Sequence, residues 1–462
     1  MHSPYYFLKT FFLLIVLVIV SSCANYYQTN IRFNNAYTSG DFEEAEKILN
    51  KKKKAALKKD RLIYFMKQGS VAHMQGYYTK SNEYFEEAYK VADSYHTNLV
   101  NEGVALLLND NIIEYKGEDY ELLYINYYKA FNFLRLGKKA EALVECRRMN
   151  NRLTYINGKY GNENTLKRNA FIHLMMGLIY ETNLEYNNAF IAYRNSLEVY
   201  ENEYTTLLGT NTPYQLKIDV IRTAFLTGLY DQVTYYENKF NIKYKDIPKN
   251  TTEMIFFWNN GMCPIKEEWS INFSIIPGGD GIVTFVNSDL GLSFPFPMSR
   301  EEYKNNNFSD LQFIRAAFPK FSERPLLFSN AKIETNNSTY SLEKTEDINA
   351  IAFKTLNDKM LREMGKSLLR LAIKKGAELA LRKQNQNAGM LLGVFNAITE
   401  KTDTRQWPVL PHSIYYSRVP IKEGLQKVNF SYSSRDGRST KRFVIEVVGY
   451  KNEMNFQSFN TL

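Results

Sequence analysis

The sequence predicts an N-terminal α-solenoid followed by a C-terminal domain of mixed antiparallel sheet and helix, α + (α+β) in class. Two observations predict it. A spaced pattern of small and aromatic residues recurs through the first half, and near residue 246 the apolar period changes from helical to alternating. Composition permits both halves a core. Of 462 residues 44% are hydrophobic, with 34 Tyr and 30 Phe among them, which excludes wholesale disorder. The domain boundaries read from the chain are 1–22, 23–26, 27–245 and 246–462.

The first two segments form an address. An unbroken apolar run, Phe11 to Val20, follows a polar start that carries Lys9. Such a run makes a helix of about 15 Å, roughly half a bilayer span, so it reads as the core of a signal peptide. It ends in Val20-Ser21-Ser22-Cys23, which resembles the bacterial lipobox. That resemblance implies cleavage before Cys23, diacylglycerol on its thiol and a further chain such as palmitate on the new amine. At about 0.8 kcal/mol per buried methylene, two or three chains anchor permanently. Position 24 is Ala, without the Asp that retains lipoproteins at the inner membrane, and Ala24-Asn25-Tyr26-Tyr27-Gln28 carries no acidic residue. The expectation is a lipid-anchored protein on the periplasmic side of the outer membrane; the alternative is a secreted protein with an incidental cysteine.

The formal charge of +9 is mild for this length, and no nucleic-acid partner is expected. Its densest run, Lys51-Lys52-Lys53-Lys54 with Lys58, Lys59 and Arg61, reads as a solvated helix face. The alternative is contact with anionic headgroups or an acidic cell-wall polymer such as peptidoglycan.

The repeats come next. Gly69, Gly76, Tyr78, Ser81, Phe85 and Ala88 set a template, and Gly177, Leu184, Tyr186, Ala189, Tyr193 and Ser196 repeat it with the same gaps. Ala130, Gly137, Lys139, Ala142 and Cys146 form a third copy, Gly40, Phe42, Ala45 and Leu49 a fourth, and Gly228, Tyr230 and Val233 a fifth. A glycine ends one helix in a left-handed turn, and a small residue on the next helix sits at the crossing. These spacings resemble the tetratricopeptide repeat, a helix–turn–helix unit. The resemblance implies stacking into one superhelix over 27–245, with a concave face for extended partners.

Past the polar stretch Lys243–Asn250, candidate strands are Met254–Trp258, Trp269–Ile276, Gly281–Val286, Ala331–Glu334 and Thr339–Leu342. A helix is expected from about Asp347 to Lys383 and a second from about Ala388 to Lys401, with Gly376, Gly389 and Gly393 on close-packing faces. Strands at His412–Pro420, Lys427–Ser433 and Arg442–Tyr450 follow. The last two form a hairpin about Arg435-Asp436-Gly437-Arg438, with Val428, Phe430 and Tyr432 alternating along one strand and Phe443, Ile445 and Val447 along the other. Strands, helices, then strands predict helices packed on an antiparallel sheet, with a core separate from that of the repeats.

Three phrases, Trp258–Lys266, Lys344–Ala352 and Lys401–Pro411, resemble a family of Gram-negative lipoproteins with N-terminal tetratricopeptide-like repeats and a C-terminal α+β domain. The resemblance implies location and architecture, and an envelope setting near activators of cell-wall synthases. No catalytic residue comes with it.

Chemistry-bearing motifs are few. Pro277-Gly278-Gly279-Asp280-Gly281 lacks the Lys-Ser/Thr of a phosphate loop and reads as a hairpin loop. Only 5 His and 3 Cys occur, without ligand spacing, so neither metal nor cofactor is expected. Cys146 occupies a repeat-helix core position and Cys263 follows a turn; a bridge between them is conceivable, and two free, separately packed thiols are the plainer reading. Asp403-Thr404-Arg405-Gln406-Trp407 is the candidate binding constellation: Arg405 and Trp407 would suit an acidic or glycan partner, or else lock into structure. The expected function is therefore a non-enzymatic, protein-binding envelope scaffold or regulator. The rival is a cell-wall or glycan-processing enzyme with its site around Arg405 and Trp407.

Overall fold

The computed structural model describes residues 28–97, 113–160, 168–245, 252–277, 282–297, 313–335, 338–384, 386 and 402–462. The signal sequence, Cys23, the glycines of the 278–281 loop and the expected helix near 388–401 lie outside them.

Among the described residues ten helices pair into five hairpins: α1 (28–38) with α2 (Phe42–Lys51), α3 (Arg61–Met74) with α4 (Tyr78–Thr97), α5 (Asp119–Arg135) with α6 (Lys139–Tyr160), α7 (Ala170–Thr182) with α8 (Tyr186–Val199), and α9 (Tyr214–Thr227) with α10 (Tyr230–Phe240). All five turns place the expected residue in the left-handed region: Gly40 (φ 80), Gly76 (77), Gly137 (70), Leu184 (62) and Gly228 (79). The next residue then donates its N–H back to the last turn of the first helix, as from Asp41 to the Ala36 carbonyl at 2.9 Å and from Glu185 to Tyr180 at 2.9 Å. The small residues act at the crossings. A Cβ on Gly69 would stand 2.6 Å from the Phe85 ring, and one on Gly177 2.3 Å from the Tyr193 ring. Ser81 Oγ donates to the Gly69 carbonyl (2.8 Å) and Ser196 Oγ to that of Ala170 (2.7 Å), tying each pair of helices together.

Among its described residues the second half holds three four-stranded sheets and a long helix, α11 (Ile348–Gln384). β12 (Met454–Thr461), β1 (Thr252–Asn260), β9 (Ser413–Ile421) and β8 (Glu343–Asp347) form the first sheet in that order. β11 (Thr440–Gly449), β10 (Gly424–Ser434), β6 (Phe328–Glu334) and β7 (Thr339–Ser341) form the second. β4 (Leu292–Pro297), β3 (Ile282–Asn287), β2 (Ile265–Pro277) and β5 (Phe313–Ser322) form the third. Every expected strand is present. β4, β5, β8 and β12 are additional, and β12 runs parallel to β1 where antiparallel pairing was expected throughout. β2 and β3 are adjacent and antiparallel.

β1 explains the layering. Met254, Phe256 and Trp258 face the second sheet, packing with Ile333, Val428, Phe430 and Val447. Ile255 and Phe257, on the opposite face, join the core of the repeats. The third sheet packs separately on α11 through Phe273, Phe285, Phe318, Met364 and Leu368. One continuous cluster therefore runs from Phe33 through the repeats to Tyr416 and Phe456, and the separate cores expected for the two halves are not what the structure has. The reason lies in α5 and α7. Both are buried almost all round, so the solenoid cannot cover them by stacking alone.

Candidate functional site

The concave face of a repeat array is where an extended partner is expected. Here the chain's own second half fills it, through β1, β9, the strand β8 and the segment 402–412.

Segment 402–412 enters beside α3 and α5. Trp407 is wholly buried: its ring packs on Phe85 and Tyr128, its Nε1–H donates to Ser70 Oγ (2.9 Å), and its backbone N–H donates to Glu121 Oε1 (2.6 Å). Glu121 also closes the capping box of α5, accepting from the Glu118 N–H at 3.0 Å. Arg405 donates to Asp403 (2.8 and 2.7 Å), to Asp60 Oδ1 (3.0 Å) and to the Ile113 carbonyl (3.1 Å), with Tyr115 stacked beneath. Burial by itself would favour loss of its proton, but the Asp403 and Asp60 carboxylates hold Arg405 charged. Both candidate binding residues are thus consumed by the chain's own repeats. This is the structural one of the two readings their sequence allowed, with both side chains closed off from solvent.

The Lys344–Ala352 phrase makes the second contact. Glu346 is fully buried and accepts from Tyr124 Oη (2.9 Å) and Asn169 Nδ2 (2.8 Å), while Tyr200 Oη donates to the Thr345 carbonyl. Burial without a facing cation pushes Glu346 up to about 7, against the hydrogen bonds from Asn169 and Tyr124. Three residues earlier on β8, Glu343 accepts the backbone N–H groups of Tyr214 (2.7 Å) and Gln215 (3.0 Å), capping α9 from another half of the chain.

Below it lies a buried ionic cluster. Arg222 of α9 meets Glu181 (2.8 Å) and Asp219 (3.0 Å), and Arg418 of β9 meets Glu181 (2.8 Å) and Glu253 (3.1 Å). Tyr193 Oη donates to Glu181 (2.8 Å) and Tyr416 Oη to Asp219 (3.3 Å). Three carboxylates share two guanidinium groups, and burial pushes Asp219 and Glu253 up to about 7 against the pull of Arg222. The spacing in sequence gave no sign of this cluster, because its members come from four elements.

Among the described residues the thiols and most imidazoles are buried. Cys146 and Cys263 are free and buried, and burial pushes their thiols up to about 12 and about 11. His73 and His173 are lowered to about 4 by burial, and His412, also lowered by burial, bonds the buried Ser413 Oγ (2.7 Å) through Nδ1, with Glu323 3.5 Å from its Nε2. Among the described residues no group of three His, Cys, Asp or Glu is placed to hold a metal ion. On the outer side, an open groove of about 590 Å³ runs between α4 and α6. Its floor is Lys129, bonded to Glu86 and Glu145 with Arg148 bracing both carboxylates; its rims carry Glu83, Glu87, Glu141, Lys138 and the exposed Val144.

No family model matches the chain. No curated protein matches it either. Among solved structures it is similar to the apo form of RapI, at 15% identity and TM-score 0.34, over 46% of this chain and 68% of that one. It is also similar to BtubC from P. vanneervenii (14%, TM-score 0.33, 48% and 84%) and to the MamA protein (15%, TM-score 0.29, 48% and 97%). Likeness at this level carries no functional argument. The helical-repeat architecture stands on the five turns and crossings described above.

Proposed function

We propose that the chain is a protein-binding scaffold or regulator of a cell-envelope assembly, of the lipoprotein kind its sequence resembles, anchored through lipid on Cys23 to the outer membrane and facing the periplasm. The observation that carries the reading is the architecture: five stacked repeats, a fold used to hold protein partners, whose concave face is closed by the chain itself and whose outer helices stay open. Partners are accordingly assigned to the outer groove between α4 and α6.

The anchor fits the geometry of the first hairpin. Asn30 accepts from Lys67 and Asn50 from the adjacent Gln68, so the first turn of α1 lies level with the end of α2. The exposed Lys51–Lys54 run follows directly. A lipid on Cys23, a few residues ahead of α1, would bring that run against anionic headgroups or an acidic cell-wall polymer, each lysine near such a surface contributing about 1 kcal/mol.

Cys23→Ser removes the acylation site, and the variant should be unprocessed or lost from the outer-membrane fraction; normal processing and recovery would end the anchor reading. Affinity purification from detergent-solubilised envelopes should recover a stoichiometric partner, and Glu83→Lys with Glu141→Lys, both exposed on the groove rim, should release it. Recovery unchanged by that pair of substitutions would remove the groove from the account.

A further inference from the structure

Among the described residues, strand β11 forms one edge of the second sheet and pairs with β10 alone. The direction of its free backbone groups follows from the hairpin. Ser434 donates its N–H to the Ser439 carbonyl at 2.8 Å, and Ser433 pairs with Thr440 without a bulge along the ladder. Antiparallel pairs alternate, so Lys441, Phe443, Ile445 and Val447 exchange hydrogen bonds with β10. Thr440, Arg442, Val444, Glu446 and Val448 then turn their N–H and C=O groups to the open side. The Val448 carbonyl, met by Asn455 Nδ2 at 3.2 Å, agrees with that alternation. Side chains divide the same way: Val447 is buried in the sandwich core with Phe443 and Ile445 against it, whereas Arg442, Val444 and Glu446 are exposed.

A strand edge with free amides, no proline and no bulge is a template for another strand. The residues on it select which one. Two copies of β11 placed antiparallel about a twofold axis at Val444 would bond through the free groups of Arg442, Val444 and Glu446 on both sides. This register sets Arg442 of each copy opposite Glu446 of the other, and Val444, 62% exposed, opposite itself. Centred two residues earlier, Arg442 would face Arg442; two residues later, Glu446 would face Glu446. Lys427, already 3.1 Å from Glu446 across β10, would extend each charge pair into a ladder. Lys332 and Glu334 on β6 pair with each other at 2.7 Å, and Glu334 also lies within the field of Arg442.

We propose that β11 is a homodimerisation edge, joining two copies of this chain into one eight-stranded sheet through an isologous antiparallel pairing centred on Val444. The inference is independent of the anchor and of the outer groove.

Sedimentation of the full-length chain in density-matched detergent tests it. The wild type should show a monomer–dimer equilibrium. Arg442→Glu alone and Glu446→Arg alone should each weaken dimerisation roughly tenfold, since every single change places two like-charge pairs across the twofold. The double exchange, Arg442→Glu with Glu446→Arg, should restore it. Val444→Pro removes an amide donor at a position where an edge strand accepts proline, and should leave a folded monomer by circular dichroism. A wild type that stays monomeric at its highest soluble concentration overturns the proposal. So does a dimer indifferent to Val444→Pro, or a charge exchange that fails to restore what both single changes weaken.

Discussion

Trp407 shows what a single side chain does at the meeting of the two halves. Its ring fills the space between Phe85 and Tyr128, and its two N–H groups satisfy Ser70 and Glu121. Trp407→Ala should cost about 3–5 kcal/mol by urea denaturation, and Trp407→Phe, which keeps a ring but leaves the Ser70 hydroxyl without its donor, about 1–2 kcal/mol. Equal losses for both would mean that packing contributes little there. His73 gives a pH dependence of known sign. Burial lowers it to about 4, with Asn132 Oδ1 2.6 Å from Nδ1. The unfolded imidazole binds its proton near pH 6.5 and the folded one only near 4, so its contribution is whole above pH 6.5 and lost as the pH falls towards 4. The loss is roughly 3 kcal/mol at most. Thermal unfolding of His73→Gln should therefore change less than that of the wild type between pH 7.5 and 5; parallel curves would place the titration elsewhere.

At the scale of elements, the repeat turns are the most legible feature, because their chemistry is local. A left-handed residue at each turn sets the register of five hairpins, with a small residue five positions on in four of them and an aromatic four further on, Phe85 and Tyr193, in two. Leu184 occupies the glycine position at φ 62 with its side chain exposed, a conformation that costs an L-residue about 1–2 kcal/mol. Leu184→Gly should thus stabilise the chain by about 0.5–1 kcal/mol in thermal melts, net of the greater freedom glycine gives the unfolded chain; a lower melting temperature would contradict the strain. Ala189, wholly buried on α8, is the reverse case, and Ala189→Leu should overpack the crossing by about 1–3 kcal/mol. An unchanged melting temperature would mean that the crossing is looser than drawn. The elements that were not legible depend on distant partners. β8 reads Glu-Lys-Thr-Glu-Asp, unlike a buried strand, and is buried because Tyr124, Asn169 and helix α9 receive its carboxylates. β12 carries Asn, Gln and Ser and lies parallel to β1, with Arg135 of α5 donating to its Phe456 carbonyl at 2.7 Å. Arg405 and Trp407 were legible as unusual residues. Their role was not, since either reading requires knowing what lies opposite.

At the scale of the whole molecule, the change of period near residue 246 marks a change of secondary structure and not a division of the core. The repeats present Phe131 and Phe171 to Phe257 of β1 and Tyr124 to Glu346 of β8, and Glu181, Asp219 and Arg222 of the repeats are balanced by Arg418 from the sheet. A fragment of about residues 28–245 would expose that apolar face and leave the cluster with one guanidinium for its carboxylates. It should aggregate rather than fold as a stable solenoid, as gel filtration and circular dichroism would show. The long reach of these contacts also sets the mechanical character of the proposed scaffold: partners on the outer groove would meet helices held from behind by the β layers, not a superhelix free to flex.

The central claim, that the chain's own second half occupies the concave face of its repeats, is tested most directly by segment-resolved hydrogen exchange on the full-length chain with and without Trp407→Ala. Amides of α5 (Asp119–Arg135) and of β1 (Thr252–Asn260) should open with one common free energy, and the substitution should lower both by the same amount. If β1 loses protection in the variant while α5 keeps its own, or the two open independently in the wild type, the concave face is not held by the segment the structure places there.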